Sequence, residues 1–154
     1  MSEDGTRRFT PPAGAFTVQL PIRFSQCDAA GIVYFPNYFD LVHACLEDWY
    51  ASVLGFGFKE LVGSGHGAPI VHAECDFTAP SRMGDRVQLT LLVERLGRAS
   101  VTYRVIGHAD HYERFNAKLV TAFLALASGK AVPIPREIRA KIEAYQGAAQ
   151  TSLN

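Results

Sequence analysis

Pro36-Asn37-Tyr38-Phe39-Asp40-Leu41-Val42-His43-Ala44-Cys45-Leu46-Glu47-Asp48-Trp49 is the stretch on which the fold turns. Proline suits the first helical position, because its missing N–H would have no partner there. Tyr38, Leu41, Val42, Cys45 and Trp49 recur at helical spacing, while Asp40, Glu47 and Asp48 fall on other faces. Gly55 and Gly57 stop the helix, and Phe58 to Val62 has room for one further turn.

Upstream, Phe16, Val18, Leu20, Ile22 and Phe24 alternate with Thr17, Gln19 and Arg23. That period of two marks a strand, and Pro21 puts it at an edge or a bulge. Downstream of the glycine-rich loop Gly63–Gly67, strand-like segments follow one another. Pro69 to Thr78 is the first. Arg86 to Arg95 carries Val87, Leu89, Leu91 and Val93 on one face, and Val101, Tyr103 and Val105 mark a third. Phe115 to Ala127 is ambiguous by pattern, but its place between a polar His108–Glu113 turn and Ser128-Gly129-Lys130 favours a strand with a hairpin beyond it. Pro133-Ile134-Pro135 leads into a short C-terminal helix, Arg136 to Tyr145.

One long helix packed on a five-stranded antiparallel sheet is therefore expected, an α+β domain over residues 16–145. Residues 1–15 read as a flexible N-terminal arm and residues 146–154 as a tail. One helix cannot cover both faces of five strands. Leu92 and Ile106 fall opposite their strands' main apolar rows, so a homodimer or homotetramer is expected.

Composition narrows the function. At 154 residues and 48% hydrophobic, the chain suits one domain with a real core. Its formal net charge of +0 gives no global pull toward nucleic acid or anionic lipid. No apolar run is long enough to span a bilayer, and the N-terminus does not read as a secretory signal. A cytoplasmic protein without nucleic-acid or membrane partners is expected. Cys27, Cys45 and Cys75 are odd in number and form no CxxC, which favours free thiols over a disulfide or zinc site. Cys27 alone, beside Asp28, merits a test as a nucleophile.

The chemistry concentrates in Asp28-Ala29-Ala30-Gly31-Ile32-Val33-Tyr34-Phe35-Pro36-Asn37-Tyr38. A carboxylate sits in an apolar loop just before a helix start. The helix N-terminus offers unpaired N–H groups and a partial positive end, which suit a developing oxyanion. An Asp among Ala, Ala and Gly is poorly solvated by its neighbours, which sharpens its basicity. Attack on a carbonyl needs both parts. The plainer reading, an Asx-turn in which Asp28 caps backbone N–H groups, stays open.

That loop resembles the active-site loop of the 4-hydroxybenzoyl-CoA thioesterase family, the Pseudomonas-type hotdog thioesterases. The likeness rests on Cys27-Asp28, Ala30-Gly31-Ile32-Val33, the aromatic pair Tyr34-Phe35, and Pro36-Asn37-Tyr38. It extends to Ala68-Pro69-Ile70-Val71, to Ala79-Pro80-Ser81-Arg82-Met83-Gly84-Asp85, and to Gly129-Lys130 with Pro133-Ile134-Pro135, covering roughly residues 16–145. It implies a hotdog fold and hydrolysis of an aryl-CoA, or a short- or medium-chain acyl-CoA, to free acid and CoA. Asp28 would be nucleophile or general base, and the backbone N–H of Phe35 the oxyanion donor. Gly31, Tyr34, Tyr38 and His72 would line the substrate site. Arg98, and less so Arg95, would meet the CoA phosphates. Phe35 stands where a relative carries Tyr; the role is a main-chain one, so the change need not abolish it. Coenzyme A enters as part of the substrate, with no other cofactor and no metal. Two alternatives are a hotdog dehydratase or hydratase, which needs a His that the Cys27–Tyr38 stretch lacks, and a non-catalytic acyl-CoA or acyl-carrier binding module.

Other candidates have plainer readings. His43 reads as a packed or partly exposed helix residue, and His72 as a cross-strand contact. His108-Ala109-Asp110-His111 reads as a solvated turn rather than a metal cluster. Arg82 beside Asp85 reads as a turn ion pair. Tyr34, Phe35, Tyr38, Phe77 and Trp49 would form either an aromatic pocket or a core.

Overall fold

The computed structural model describes residues 5–150. Along the chain run β1 (Phe16–Pro21), α1 (Pro36–Trp49), α2 (Phe58–Gly63), β2 (His66–Gly67), β3 (Ile70–Phe77), β4 (Arg86–Leu96), β5 (Ser100–Ala109), β6 (Tyr112–Ala122), β7 (Leu124–Ala125) and α3 (Arg136–Gln150). Five strands make one antiparallel sheet in the order β1-β4-β5-β6-β3, with α1 against one face. This is the hotdog arrangement expected from the sequence.

The apolar stripe of α1 is buried as its spacing requires. Tyr38, Leu41, Val42, Cys45, Leu46 and Trp49 all face the core. They meet the inner rows of the central strands, including Leu89 and Leu91, Tyr103 and Val105, and Phe115 and Leu119. Each such side chain contributes about 1.5–3 kcal/mol by leaving water, so this layer drives the fold. Gly107 belongs to it by default. The Phe115 ring occupies the place of any Cβ there, 2.1 Å away, and β5 bulges at Gly107/His108.

Several boundaries move. A π-turn, Tyr50–Leu54, extends α1 before Gly55. Past β6 the chain forms a two-stranded ladder of β7 with β2. The C-terminal helix does not stop at Tyr145 but runs to Gln150, with Ala149 buried. Its length has a use. β1 pairs only with Arg86–Leu91, which leaves the rest of β4 without a strand on that side. At the end of that pairing and beyond it α3 supplies donors: the Tyr145 hydroxyl to the Leu91 carbonyl, opposite Phe16, and Gln146 Nε2 to that of Val93 at 3.3 Å.

The outer face of the sheet is polar and crossed by the N-terminal arm. Arg104 donates to Glu94 Oε1 at 2.7 Å and to Asn116 Oδ1 at 2.9 Å. Phe9 N–H donates to the His111 carbonyl, and Glu113 N–H to that of Arg7, so the arm lies along the β5–β6 hairpin. The His108–Glu113 turn is accordingly not solvated throughout. Only Asp110 and His111 form the turn, while His108 is 2% and Glu113 3% exposed. Ile106 and Leu92 also depart from expectation. Ile106 is buried within the single chain, and Leu92 is half-buried and packs against the core, so neither is an open apolar patch on that face.

Candidate active site

After β1 the chain doubles back through residues 26–34 in a tight loop. Asp28 N–H donates to the Ile32 carbonyl at 2.9 Å, and Tyr34 N–H to that of Gln26 at 2.9 Å. Gly31 makes the return with φ +77, a conformation costly for residues with a Cβ. The segment before β4 holds the loop from outside, because Val33 N–H donates to the Ser81 carbonyl and Met83 N–H to that of Gly31. Asn37, in the first turn of α1, reaches back from Nδ2 to the Gln26 carbonyl at 2.8 Å. Tyr38 accepts the Ser81 N–H at its hydroxyl, 3.3 Å away. Sequence reasoning left Asn37 and Ser81 without a role. Both position the loop, and the signal was the Pro36-Asn37-Tyr38 run itself.

The Asx-turn is present: Asp28 Oδ1 accepts the Ala30 N–H at 2.8 Å. It uses one carboxylate oxygen and leaves Oδ2 to solvent or a ligand. Asp28 is exposed, so the apolar neighbours expected to desolvate it do not do so in the single chain. Phe35 precedes the first helical residue with φ −52 and ψ −36. Residues before proline usually avoid that region. Its N–H has no acceptor among the described residues and stands at the positive end of α1.

Asp28 and Phe35 line two neighbouring depressions. One, of about 480 Å³, is bounded by Phe24, Cys27, Asp28, Gly31 and Met83. The other, of about 380 Å³, is bounded by Phe35, Tyr38, Phe77 and Pro80. Rings run outward from the core through the second. Phe115 contacts Tyr38 at 5.0 Å, Tyr38 contacts Phe77 at 5.1 Å, Phe77 contacts Phe35 at 6.5 Å and Phe35 contacts Tyr34 at 5.6 Å. Tyr34 and Phe35 are 53% and 59% exposed, so this row is core at one end and open surface at the other. Trp49 belongs wholly to the core.

The remaining candidates stand elsewhere. His72 lines neither depression. Its partner is Glu74 on the same strand, Nε2 to Oε2 3.1 Å, rather than a cross-strand neighbour. That hydrogen bond is the main reason the Glu74 carboxyl is held below its ordinary range. Arg95 and Arg98 are exposed at the far end of β4. At about 3.3 Å per residue, the strand carries them roughly 30 Å from Arg86, whereas the Asp28 loop bridges to Arg82. One chain therefore does not bring them to Asp28. Arg82 is not ion-paired with Asp85; its backbone N–H donates to Asp85 Oδ2 at 2.8 Å. The three cysteines are free. Burial pushes the Cys45 thiol up to about 12 and that of Cys75 to about 11. No cluster of three or more metal-ligating side chains occurs among the described residues, nor any helix long and apolar enough to cross a membrane.

Comparison with known proteins places this geometry among relatives. The model of the thioesterase-like superfamily matches residues 22–142. A 1,4-dihydroxy-2-naphthoyl-CoA hydrolase from Crocosphaera subtropica is 34% identical over 124 residues, covering 80% of this chain and 85% of the relative. The crystal structure of a 1,4-dihydroxy-2-naphthoyl-CoA thioesterase from Synechocystis superposes with a TM-score of 0.75 at 25% identity, covering 83% of this chain and 95% of that one. A gentisyl-coenzyme A thioesterase structure gives 0.74 at 26%, covering 80% and 99%.

Proposed function

Because the chain belongs to the thioesterase-like superfamily and is a thioester hydrolase, we infer that it cleaves an aryl-CoA to free acid and CoA at the Asp28 loop. The finer kinship with 4-hydroxybenzoyl-CoA thioesterases is part of this reading, as is a short- or medium-chain acyl group as the other substrate. The observation that carries it is the pairing of an exposed carboxylate with an unspent N–H at a helix start, on a segment pinned by backbone hydrogen bonds of 2.9–3.3 Å.

Two routes fit. In the first, Asp28 Oδ2 attacks the thioester carbon while Phe35 N–H receives the developing oxyanion. The C–S bond then breaks, CoA leaves as the thiolate, and water hydrolyses the mixed anhydride on Asp28. In the second, Asp28 takes a proton from the attacking water and the same N–H holds the oxyanion. The open aromatic row supports an aryl acyl group, since flat rings stack or meet edge-on there.

A second copy is part of the reading. The inner side of β3 carries Ala73, Cys75 and Phe77, which α1 covers only in part, and Val71 and Phe77 are 61% and 48% exposed. Its outer edge carries unpaired main-chain groups, which suit another strand. Pairing there would bury Phe35, Tyr34 and the approach to Asp28, and would supply the missing desolvation. Arg98 and Arg95 could then serve the CoA phosphates only from another copy.

Asp28→Asn separates the turn from the chemistry. The Asn side-chain oxygen still accepts the Ala30 N–H, but the amide neither attacks nor takes a proton. Turnover, read as CoA release with a thiol reagent, should fall roughly 100-fold or more with the melting temperature unchanged. Near wild-type turnover would sink the assignment and direct attention to Glu47 or Asp48. A single turnover in 18O-water separates the routes, since only the nucleophilic one leaves label in the Asp28 carboxylate.

A further inference from the structure

A cavity larger than either depression at the Asp28 loop lies elsewhere on the molecule. It opens on the outer face of the sheet and holds about 640 Å³. Its floor is one transverse row, in which Gln19 of β1 pairs with Gln88 of β4 and Gln88 with His108 of β5. Thr10 and Pro11 of the N-terminal arm wall one side, and the Asp85–Arg86 turn and the hairpin with His111 and Arg114 wall the others.

The floor is held in place from below. His108 is 2% exposed, and its Nε2 lies 2.9 Å from Thr90 Oγ1, itself 2.8 Å from Thr17 Oγ1. The Phe9 ring packs against the imidazole at 4.9 Å. Burial first, and the charge of His111 second, lower the His108 pKa. The hairpin tip puts Asp110 and His111 at φ 52 and 66. Asp and His tolerate that left-handed region better than most residues.

Arg86 and Arg114 line this space together with Asp85 and Asp110. Their charges do not cancel by contact, for neither arginine is in an ion pair among the described residues. Asp85 Oδ2 is already engaged by the Arg82 N–H. Arg114 spends Nη1 on the Pro80 carbonyl and keeps its other donors. The side chains of Arg86, Gln19 and Gln88 donate to nothing in the described chain. Two guanidinium groups and two carboxamides thus converge with donors to spare.

We propose that this cavity binds the phosphate groups of a small phosphorylated molecule. Guanidinium forks match phosphate oxygens bidentately, and carboxamide N–H groups complete the donor set. The volume is that of a small-molecule site. No lining residue is shared with either depression near Asp28, so the proposal stands apart from the reading of that loop. Two sources of phosphate fit. Gly84 of the cavity follows Met83 of the Asp28 depression, so the nucleotide end of a bound acyl-CoA is one. A free phosphorylated metabolite is the other.

Inorganic pyrophosphate titrated calorimetrically into the full-length protein, at fixed ionic strength, tests the site without reference to turnover. The wild type should bind, and Arg86→Gln/Arg114→Gln should bind at least about tenfold more weakly. Lys59→Ala, on the exposed side of α2 and outside the cavity, should bind as the wild type does. No binding by the wild type, or equal binding by the double variant, overturns the proposal. Kinetics with benzoyl-CoA and benzoyl-pantetheine then identify the source. A higher KM for the CoA ester alone in the double variant assigns the site to the substrate's own phosphates. An unchanged KM for both, with pyrophosphate binding lost, assigns it to a free phosphorylated ligand.

Discussion

Phe115 and Phe77 are neighbours in register on adjacent strands, and both belong to the inner side of the sheet. Phe115 is fully buried, whereas Phe77 is 48% exposed. Between them passes the limit of what α1 covers. On the closed side, Trp49, Leu89, Tyr103 and Phe115 interlock, and α3 covers the flank of β4 that β1 does not reach. On the open side lie β3, the Tyr34–Phe35 pair and the Asp28 loop, apolar in residue type yet wet in the single chain. The difference is one of task. The closed side supplies stability by itself, and the open side spends little of it, keeping a carboxylate and a helix terminus accessible.

Substitutions should divide along the same line. Trp49→Ala, in the closed layer, should cost about 3–5 kcal/mol of stability in denaturant unfolding, with activity per folded molecule less affected. A loss below about 1 kcal/mol would mean that α1 is not the keystone of the core. On the open side, Phe35→Pro deletes the N–H while its φ of −52 suits the ring. It should lower kcat about 100-fold with melting nearly unchanged. Retained turnover would remove the main-chain oxyanion role. Val71→Lys, on the uncovered strand, should weaken self-association about tenfold or more in sedimentation, leaving the fold of each chain intact. An unaltered association constant would place the second copy elsewhere.

The smallest effect contrasts two thiols. Cys75 on β3 and Cys45 on α1 have pKa values raised by burial to about 11 and about 12. Only the thiolate is alkylated, so Cys75 should react slowly at neutral pH and about tenfold faster per unit as pH climbs toward its pKa. Cys45 should stay unmodified while the protein is folded. Its raised folded pKa also means stability held below the unfolded thiol pKa and lost as pH rises toward about 12. Equal labelling of the two thiols, followed by mass spectrometry, would erase the distinction between the regions.

What the sequence revealed follows from range. The helix over 36–49 was legible because its period and its proline are local, and the strands beginning at Phe16, Arg86 and Val101 were legible by alternation. His108 was read as solvated because its cover comes from Phe9, nearly a hundred positions away, and no local pattern announces that. The C-terminal helix was cut short at Tyr145 because Gly147, Ala148 and Ala149 look like a fraying end, whereas Gln146 and Ala149 are held by the fold. At the site, the position of Asp28 was legible and its exposure was not. The apolar residues expected to desolvate it border the loop without closing over it. Arg95 and Arg98 stand at the far end of β4 from the loop, a separation that sequence order alone does not reveal.

The two flanks of the sheet are unequal in a way that limits growth. On one side β1 has six residues, ends in a proline, and has its first N–H taken by Tyr145, while α3 occupies the β4 carbonyls of Leu91, opposite it, and Val93, beyond it. On the other, β3 presents eight residues of main chain. Strand addition is the chemistry of fibrils when both flanks accept a neighbour, because each newcomer brings a fresh end. Here a newcomer docking by its own β3 would bring only the blunt side. The ribbon would stop at two copies and ten principal strands, terminated by its own geometry rather than by concentration.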